Sequence, residues 1–549
     1  MTPIGTLCGL LAFALLVAGL AISDRLSDRQ WLGVLGVAWL LLLAASRIRL
    51  PPRVPVFNRS LIRTTLTIFT VFVIISAQLV RVQVVDGDDT VNRSAIAPDG
   101  ETIGNPRLAN SQLSVQRGEM YDRNGELIAG TEQDGDLYLR HYPDPATAYV
   151  AGYYSPLLYG SSGLESSWDD ELSGQAGNDP LERVINNLLN RPQQGADLQL
   201  TLDSSLQRQA MELLGDDSGS VVVMDVETGA VIVLASNPNY DPNQLFTSTP
   251  SENPAATAYW QSLTDDPDDP LVLRSTLGLY TPGSTFKTIT AAIGLELGLI
   301  EVDEVFEDNG QLEIDGRILV ENNRPDESQD LWSVMEALAW SLNVVFAQIG
   351  LRIGASDLWE MADRFGISDQ IPFDLPVATG QLANSRPELS DNNLLADTAF
   401  GQGQLQVTPL YMCMVTAMYV NDGDMMEPYL VEAVVDHAGN VTQRADPGTW
   451  RSPVSPDTAG DVEAMMINAV ENGAVSGAAI DGYTVGGKTG TAETGDGGAH
   501  QWFIGFIGDE EPRYAVAVVL ESGGGGLGSA VAIGRDMLLS TITAIPTED

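Results

Sequence analysis

Apolar residues dominate three stretches near the start of the chain, about Ile4–Ile22, Trp31–Ala45 and Leu66–Val80, and become scattered afterwards. The first has the length of the roughly 20 residues that an α-helix needs to cross a bilayer, and the other two fall somewhat short of it. Between the second and third lie Arg47, Arg49, Arg53, Arg59 and Arg63. Arginine-rich loops stay on the cytoplasmic side. The pattern therefore predicts about three membrane helices in residues 1–80, a cytoplasmic N-terminus, and everything after Val80 outside. The short stretch Ser23–Gln30 is charge-balanced and suits an outer loop. Residues 1–10 lack the positive region of a cleaved leader, so an anchor carrying an extracytoplasmic body is expected.

Residues 81–200 are rich in Gly, Asn, Asp and Pro with few periodic runs, which predicts an irregular, strand-containing module. The texture changes at Asp197. Asp203–Leu214 reads as a capped helix with Leu206, Ala210, Leu213 and Leu214 on one face. Ser220–Ala235 reads as a hairpin turning at Glu227-Thr228-Gly229, and a second hairpin joins Trp502–Gly508 to Arg513–Leu520 through Asp509–Pro512. Helical patterns fill the space between, among them Thr285–Leu297, closed by Gly298, and Leu331–Ile349. Strands at both ends of a domain with helices between them predict an α+β fold on an antiparallel sheet.

Charge narrows the choice of partner. The 549 residues carry a formal net charge of −46, and residues 1–80 are positive, with seven arginines against Asp24 and Asp28. That balance of +5 leaves −51 for the remainder. Such a surface repels nucleic acid and reads as heavily solvated, suited to salt that screens its self-repulsion. Cys8 and Cys413 offer no disulfide framework, and His141, His437 and His500 are scattered without zinc-site spacing, so neither metal nor cofactor is expected.

Lysine is almost absent. Of 28 basic residues only Lys287 and Lys488 are lysines, which leaves 26 arginines. An arginine cannot lose its proton inside a protein, whereas a buried lysine can become a neutral base. Both lysines lie in short motifs. Ser284-Thr285-Phe286-Lys287 opens a helical pattern after Pro282 and Gly283, so the helix N-terminus can steady a developing anion at the serine. The three-residue spacing puts the amine within reach of the Ser284 hydroxyl, where a neutral lysine could activate it as a nucleophile. The same spacing also occurs by chance as a solvated pair. Ser341-Leu342-Asn343 combines a proton-relaying hydroxyl with an amide that can bind a peptide group, or else simply caps a helix. Lys488-Thr489-Gly490-Thr491 pairs a cation and two hydroxyls suited to a carboxylate, with a glycine that would let a ligand backbone come close to a strand. Gly482–Thr489 also satisfies the P-loop pattern, but the polar, glycine-rich Gly490–His500 follows it where a P-loop has a helix. The nucleotide reading is rejected. Gly523–Gly526 reads as a flexible loop with no phosphate role.

In order, the three motifs match the SxxK, SxN and KTG set of penicillin-binding proteins and serine β-lactamases. The chain resembles a monofunctional (class B) penicillin-binding protein over most of residues 115–535. Arg117–Ile128 (RGEMYDRNGELI) is similar to that family's early signature, and Gly160–Glu165 (GSSGLE) and Leu200–Gln207 (LTLDSSLQ) to its pedestal motifs. Leu234–Asn243 (LASNPNYDPN), Tyr280–Lys287 (YTPGSTFK), Gly401–Pro409 (GQGQLQVTP) and Gly486–Glu493 (GGKTGTAE) continue the likeness. Three apparent membrane segments depart from the single one usual in such proteins, and no glycosyltransferase motif is present.

The resemblance implies a membrane segment in residues 1–80, a dimerisation or pedestal domain in 81–200, and a serine β-lactamase/transpeptidase-like domain in 201–549. It implies a D,D-transpeptidase that cross-links peptidoglycan stem peptides on lipid-linked precursor strands and binds β-lactams covalently. Ser284 would be the nucleophile and Lys287 its base, with the oxyanion held by the backbone N–H groups of Ser284 and Thr491. Ser341 with Lys488 would deliver a proton to the departing D-alanine. Asn343, Thr489, Gly490 and Thr491 would bind the substrate. A membrane glycan polymerase of the SEDS type is the implied partner. A D,D-carboxypeptidase or β-lactamase-type hydrolase shares these motifs. A non-catalytic β-lactam sensor is the alternative of another class; such sensors commonly work with a zinc protease, and HExxH is missing here.

Overall fold

Length and hydropathy decide the first three elements. In the computed structural model the apolar runs form α1 (Pro3–Ala21), α2 (Asp28–Ser46) and α3 (Val56–Val80). All three are long and apolar enough to cross a membrane. The structure describes residues 3–21, 27–46, 55–82, 95–96, 102–103, 112–176, 194–249, 251–493, 498–509, 511–521 and 528–545. α3 starts at Val56, not at Leu66, so Arg59 and Arg63 belong to its first turns and not to a loop. Pro55, with φ −56°, leads straight into the helix, and an arginine stem can lie along a helix while its head reaches water. Arg47, Arg49 and Arg53 lie outside the described residues. Trp31, Leu35 and Ala38 of α2 pack with Leu16 and Ala77, and the Trp31 indole N–H donates to Gln78 Oε1 at 2.6 Å. These helices belong to one compact unit, Met1–Gln112; Leu113–Asp549 forms another.

The second unit opens with β1 (Met120–Tyr121), β2 (Leu127–Asp134) and β3 (Leu137–His141), then β4 (Asp197–Leu200) and α4 (Ser204–Leu214). The hairpin of β5 (Gly219–Asp225) and β6 (Val231–Asn237) follows, then α5 (Lys287–Glu296) and a small hairpin of β7 (Gln311–Ile314) and β8 (Arg317–Val320). Next come α6 (Val334–Trp340), α7 (Asn343–Arg364), α8 (Asn392–Ala399) and α9 (Pro409–Tyr419). Later come β9 (Val431–Val435), β10 (Val441–Arg444), α10 (Pro456–Asn472), β11 (Thr484–Glu493), β12 (Ala499–Gly508), β13 (Pro512–Leu520) and α11 (Gly528–Ala544).

The two hairpins expected from opposite ends of the domain meet in one antiparallel sheet, ordered β6-β5-β13-β12-β11. Val221, Val223, Val516 and Val518 face one side, among Leu206, Ala210 and Leu214 of α4 and Met537 and Leu538 of α11. Val222, Met224, Ala515 and Ala517 face the other, in a core shared with the wholly buried α9. A sheet covered on both faces has no polar side, which explains why its strands read as unbroken apolar runs. β11 is the outer strand of this sheet, and Lys488 lies on it.

A second sheet, ordered β10-β9-β4-β1-β2-β3, takes β9 and β10 from much later in the chain and so ties residues 120–141 and 197–200 to residues 431–444. The early signature residues hold this region together. Glu165 is wholly buried and accepts from Arg117 Nε at 3.0 Å, from Arg140 Nε and from the Tyr142 hydroxyl. Asp122 accepts from the Ser204 N–H at 3.0 Å, and Asn124 donates to Asp203 at 2.9 Å, which joins the first strands to the cap of α4. Gln207 bonds both the carbonyl and the N–H of Leu234.

The expected helix Leu331–Ile349 divides in two. Leu331–Ser333 is a strand; Ser333 and Glu336 then form a capping box that starts α6. α6 ends where Ser341 turns left-handed at φ 64°, and α7 begins at Asn343. Ala337 and Leu338 before the turn and Val345 and Phe346 after it enter the same core. The apolar period therefore continues across a break in the backbone.

Burial alone would raise the Glu165 pKa, but Arg140 and Arg117 together hold it below the usual carboxylate range. Glu165→Ala would strand two buried guanidinium groups. It should lower stability by about 3–5 kcal/mol, read as a lower denaturant midpoint; an unchanged midpoint would show that the triad contributes nothing.

Candidate active site

Three backbone segments converge on the two lysines. The first is a short 3₁₀ turn, Gly283–Phe286, that runs into α5 and presents Ser284 at the start of the helix. Gly283 has φ +56°, and a Cβ there would lie 2.5 Å from the Thr491 carbonyl oxygen of β11. Only glycine allows both that turn and that approach. The second segment is the left-handed turn at Ser341, and the third is β11 itself. A Cβ on Gly490 would lie 2.6 Å from the Pro282 carbonyl oxygen and 3.0 Å from Thr285 Cγ2. The chain's own Ser284 loop therefore comes close to the backbone at Gly490.

The Lys287 amine is wholly buried at the meeting point. Its Nζ lies 3.1 Å from Ser284 Oγ, 2.6 Å from the Ser341 carbonyl oxygen, 3.2 Å from Ser341 Oγ and 2.8 Å from Asn343 Oδ1. The carbonyl and the amide oxygen can only accept. They take the two N–H bonds of a neutral amine and leave its lone pair for a hydroxyl. Lys488 Nζ donates to Ser341 Oγ at 3.0 Å and to the Thr489 carbonyl at 2.9 Å. Ser341 Oγ therefore bridges the two amines. Asn343, with its oxygen held by Lys287, can offer a ligand the NH₂ end of its amide.

Burial drives both amines toward the neutral form. Lys287 is held well below the usual lysine range by desolvation and by the neighbouring Lys488, with Glu321 opposing them. Lys488 is pushed down to about 7 by desolvation. Thr489 is half-buried and Thr491 exposed, facing outward from the edge strand.

Of the eight residues singled out in the sequence, Ser284, Lys287, Ser341, Asn343 and Lys488 form one hydrogen-bonded cluster. Thr489, Gly490 and Thr491 line the strand beside it. Other contributors carried no role in the sequence reading. Gln402 Nε2 donates to the Thr491 carbonyl at 3.0 Å, and the Trp502 indole donates to the Thr281 carbonyl at 3.0 Å. The GQGQLQVTP motif could have flagged Gln402. Nothing in the local sequence marked Asn323, whose amide donates to the Ser341 carbonyl at 2.9 Å.

Residues 219–539 match the family described as the penicillin binding protein transpeptidase domain, and residues 117–198 match the penicillin binding protein A dimerisation domain. Peptidoglycan D,D-transpeptidase PbpA of Mycolicibacterium smegmatis is 32% identical over 504 residues, 88% of this chain and 99% of that protein. The chain belongs to the penicillin-binding protein transpeptidase family. Solved members have the same fold. The imipenem acyl-enzyme of penicillin-binding protein A from M. tuberculosis superposes with a TM-score of 0.72 at 31% identity, covering 79% of this chain and 99% of that one. The D,D-transpeptidase domain of a peptidoglycan glycosyltransferase from Eggerthella lenta gives 0.69 at 33% identity, with 78% and 99% covered.

A buried amine with a lowered pKa leaves a thermodynamic trace in this penicillin-binding protein. Lys488 ordinarily titrates at 10.5 and here at about 7, so between these values the unfolded chain binds the extra proton. Stability contributed by this group must then rise with pH through that window. Lys488→Met should flatten the rise in unfolding temperature over the same window; an unaltered slope would mean that the amine stays charged.

Proposed function

We propose that this penicillin-binding protein is a membrane-anchored peptidoglycan D,D-transpeptidase working through an acyl-enzyme on Ser284. One observation carries the reading: the Lys287 amine, with its two N–H bonds directed to the Ser341 carbonyl and Asn343 Oδ1, lies 3.1 Å from the Ser284 hydroxyl. A neutral amine so placed is ready to take a proton.

In this mechanism Lys287 removes the Ser284 proton as Oγ attacks the carbonyl between the last two D-alanines of a stem peptide. The negative charge moves to the carbonyl oxygen, facing the N–H groups of Ser284 and Thr491. When the C–N bond breaks, its electrons stay with the departing D-alanine nitrogen. The proton on Lys287 reaches that nitrogen through the Ser341 hydroxyl, with Lys488 on its other side. The hydroxyls of Thr489 and Thr491 take the terminal carboxylate, and Asn343 donates to a peptide carbonyl. An amine from a neighbouring strand then attacks the ester, forms the cross-link and returns Ser284 with its proton. A β-lactam offers the same carbonyl and carboxylate, but its nitrogen stays tethered after ring opening. M. tuberculosis penicillin-binding protein A has been solved as acyl-enzymes with imipenem and penicillin G, which supports the same chemistry here.

The three apolar helices support membrane attachment, and the arginines between α2 and α3 support an N-terminus in the cytoplasm with the catalytic part outside. In this reading residues 81–200 are the pedestal and 201–549 the catalytic domain. A membrane polymerase of the SEDS type is the partner that would supply new glycan strands.

Fluorescent penicillin should label the purified full chain, and Ser284→Ala should abolish the label; surviving label would remove Ser284 as nucleophile. Lys287→Arg should acylate at least about 100-fold more slowly, as expected on losing a general base. Normal acylation by that variant would show that no neutral amine is needed. Label that decays within seconds would favour a hydrolase over a transpeptidase.

A further inference from the structure

The turn at Ser341 is held from outside the three motifs. α7 starts without a cap of its own, because the residue before it is Leu342, which has no side-chain acceptor. The acceptor comes instead from Glu321, just past the β7–β8 hairpin: its Oε2 takes the Val344 N–H at 2.9 Å. Its Oε1 takes the N–H groups of Asn322 and Asn323, each at 2.9 Å, and its own N–H bonds the Gly310 carbonyl. Glu321 is 8% exposed. A buried carboxylate with three backbone donors is a fixed charge at a helix N-terminus, where negative charge is favoured. Beyond it, Asn323 Nδ2 donates to the same Ser341 carbonyl that Lys287 uses. The hairpin is itself tied down, since Arg317 at its tip pairs with Asp397 of α8 and Asp315 accepts from Asn392 at 2.9 Å.

We propose that Glu321 and Asn323 are positioning residues for acylation, which hold the Ser341 turn and set the charge around the Lys287 amine. This rests on Lys287 being the base. The groups bearing on the amine are Lys488, which disfavours its protonated form, and Glu321, which favours it. Glu321 in turn faces Asp308, whose other charged neighbours are Arg324 and Asp330. By this arrangement Glu321 keeps the proton on Lys287 to a higher pH than burial beside Lys488 would allow. That helps the amine retain a proton taken from Ser284 until the leaving group needs it.

The test measures the second-order rate of acylation of the full chain by fluorescent penicillin as a function of pH. The acid limb of that profile reports loss of a proton from the base. Glu321→Gln removes the negative charge, so Lys287 should become neutral at lower pH. The midpoint of the acid limb should fall by roughly one unit, the low end for an opposite charge close by. A slower rate at every pH with an unmoved midpoint, or a midpoint that rises, overturns the electrostatic role. Asn323→Ala should acylate about ten-fold more slowly with its midpoint in place, as expected for one lost hydrogen bond. A wild-type rate in that variant overturns the clamp. Asn323 is exposed and tolerates truncation, so it decides the clamp even where Glu321→Gln destabilises the chain. Lys287→Arg separates the layers: if that variant acylates normally, the base assignment has failed, whereas an inactive Lys287→Arg beside an unmoved Glu321→Gln midpoint refutes only the positioning role.

Discussion

A lysine amine kept out of water is costly unless its N–H bonds are met, and the catalytic unit is organised around meeting those of Lys287. No single element could do it. The helix that carries the lysine supplies Ser284, the turn between α6 and α7 supplies a carbonyl and a hydroxyl, and the first residue of α7 supplies an amide oxygen. Each acceptor is fixed by its own backbone. The left-handed conformation of Ser341 aims its carbonyl at the amine, and that conformation is rare for a residue with a side chain. The turn is closed by the Leu342 N–H, which bonds the Ala337 carbonyl at 2.9 Å, and it is flanked by Glu321, which takes the Val344 N–H, and by Asn323, which donates to the Ser341 carbonyl. A second buried amine then sits on the far side of the same hydroxyl, so a positive charge on either lysine discourages one on the other.

This constraint also explains the basic composition of the chain. Away from the site, cations serve as ion-pair partners, and there arginine suffices: Arg274 holds Glu521 at 2.9 Å, Arg208 reaches both Glu126 and Asp144, and Arg117 with Arg140 brackets Glu165. A guanidinium offers more donors to a carboxylate than an ammonium does and never gives up its charge. Lysine remains only at the two positions where burial lowers the pKa of the amine. The acidic excess acts at a different level. It bears on solvation and on partners of like charge, and leaves the interior chemistry alone.

What the sequence made legible was whatever depends on local spacing. Ser284 and Lys287 are one turn apart, Asp203 caps α4 by accepting from Ser205 and Leu206, and the two hairpins have their own turn signals. What stayed hidden depends on chain segments distant in sequence. Glu321 looks like any acidic loop residue until Val344 is brought to it. The order of the second sheet, in which β4 lies between β9 and β1, cannot be seen from the strands singly because each is short and only partly apolar. Periodicity also misled in one place. The run through Leu331–Ile349 keeps its apolar phase because both α6 and α7 bury their inner faces in one core, so the most important break in the catalytic unit has no apolar signature. The start of α3 misled for the converse reason: arginines suggested a loop, though a helix can carry them where its end nears water.

The glycines beside Ser284 show how the site is held to shape without side chains. Gly401, at φ +90°, would place a Cβ 1.7 Å from the Gly283 carbonyl oxygen, and Gly283 would place one 2.5 Å from that of Thr491. Three stretches of main chain therefore lie in direct contact, and the Gln402 amide and the Trp502 indole pin two of them further. Main-chain contacts have no rotamers to change. The N–H groups of Ser284 and Thr491, which the proposed mechanism directs at the oxyanion, are consequently separated by a distance that ligand binding has little freedom to alter. An oxyanion site works best when its dipoles need no reorganisation as charge develops. A rigid pair of donors also favours any ligand that presents a strained carbonyl at that spot, whether or not its leaving group can depart. On this view reactivity toward stem peptides and susceptibility to β-lactams come from one and the same stiffness, and a change in this layer that weakened one would weaken the other.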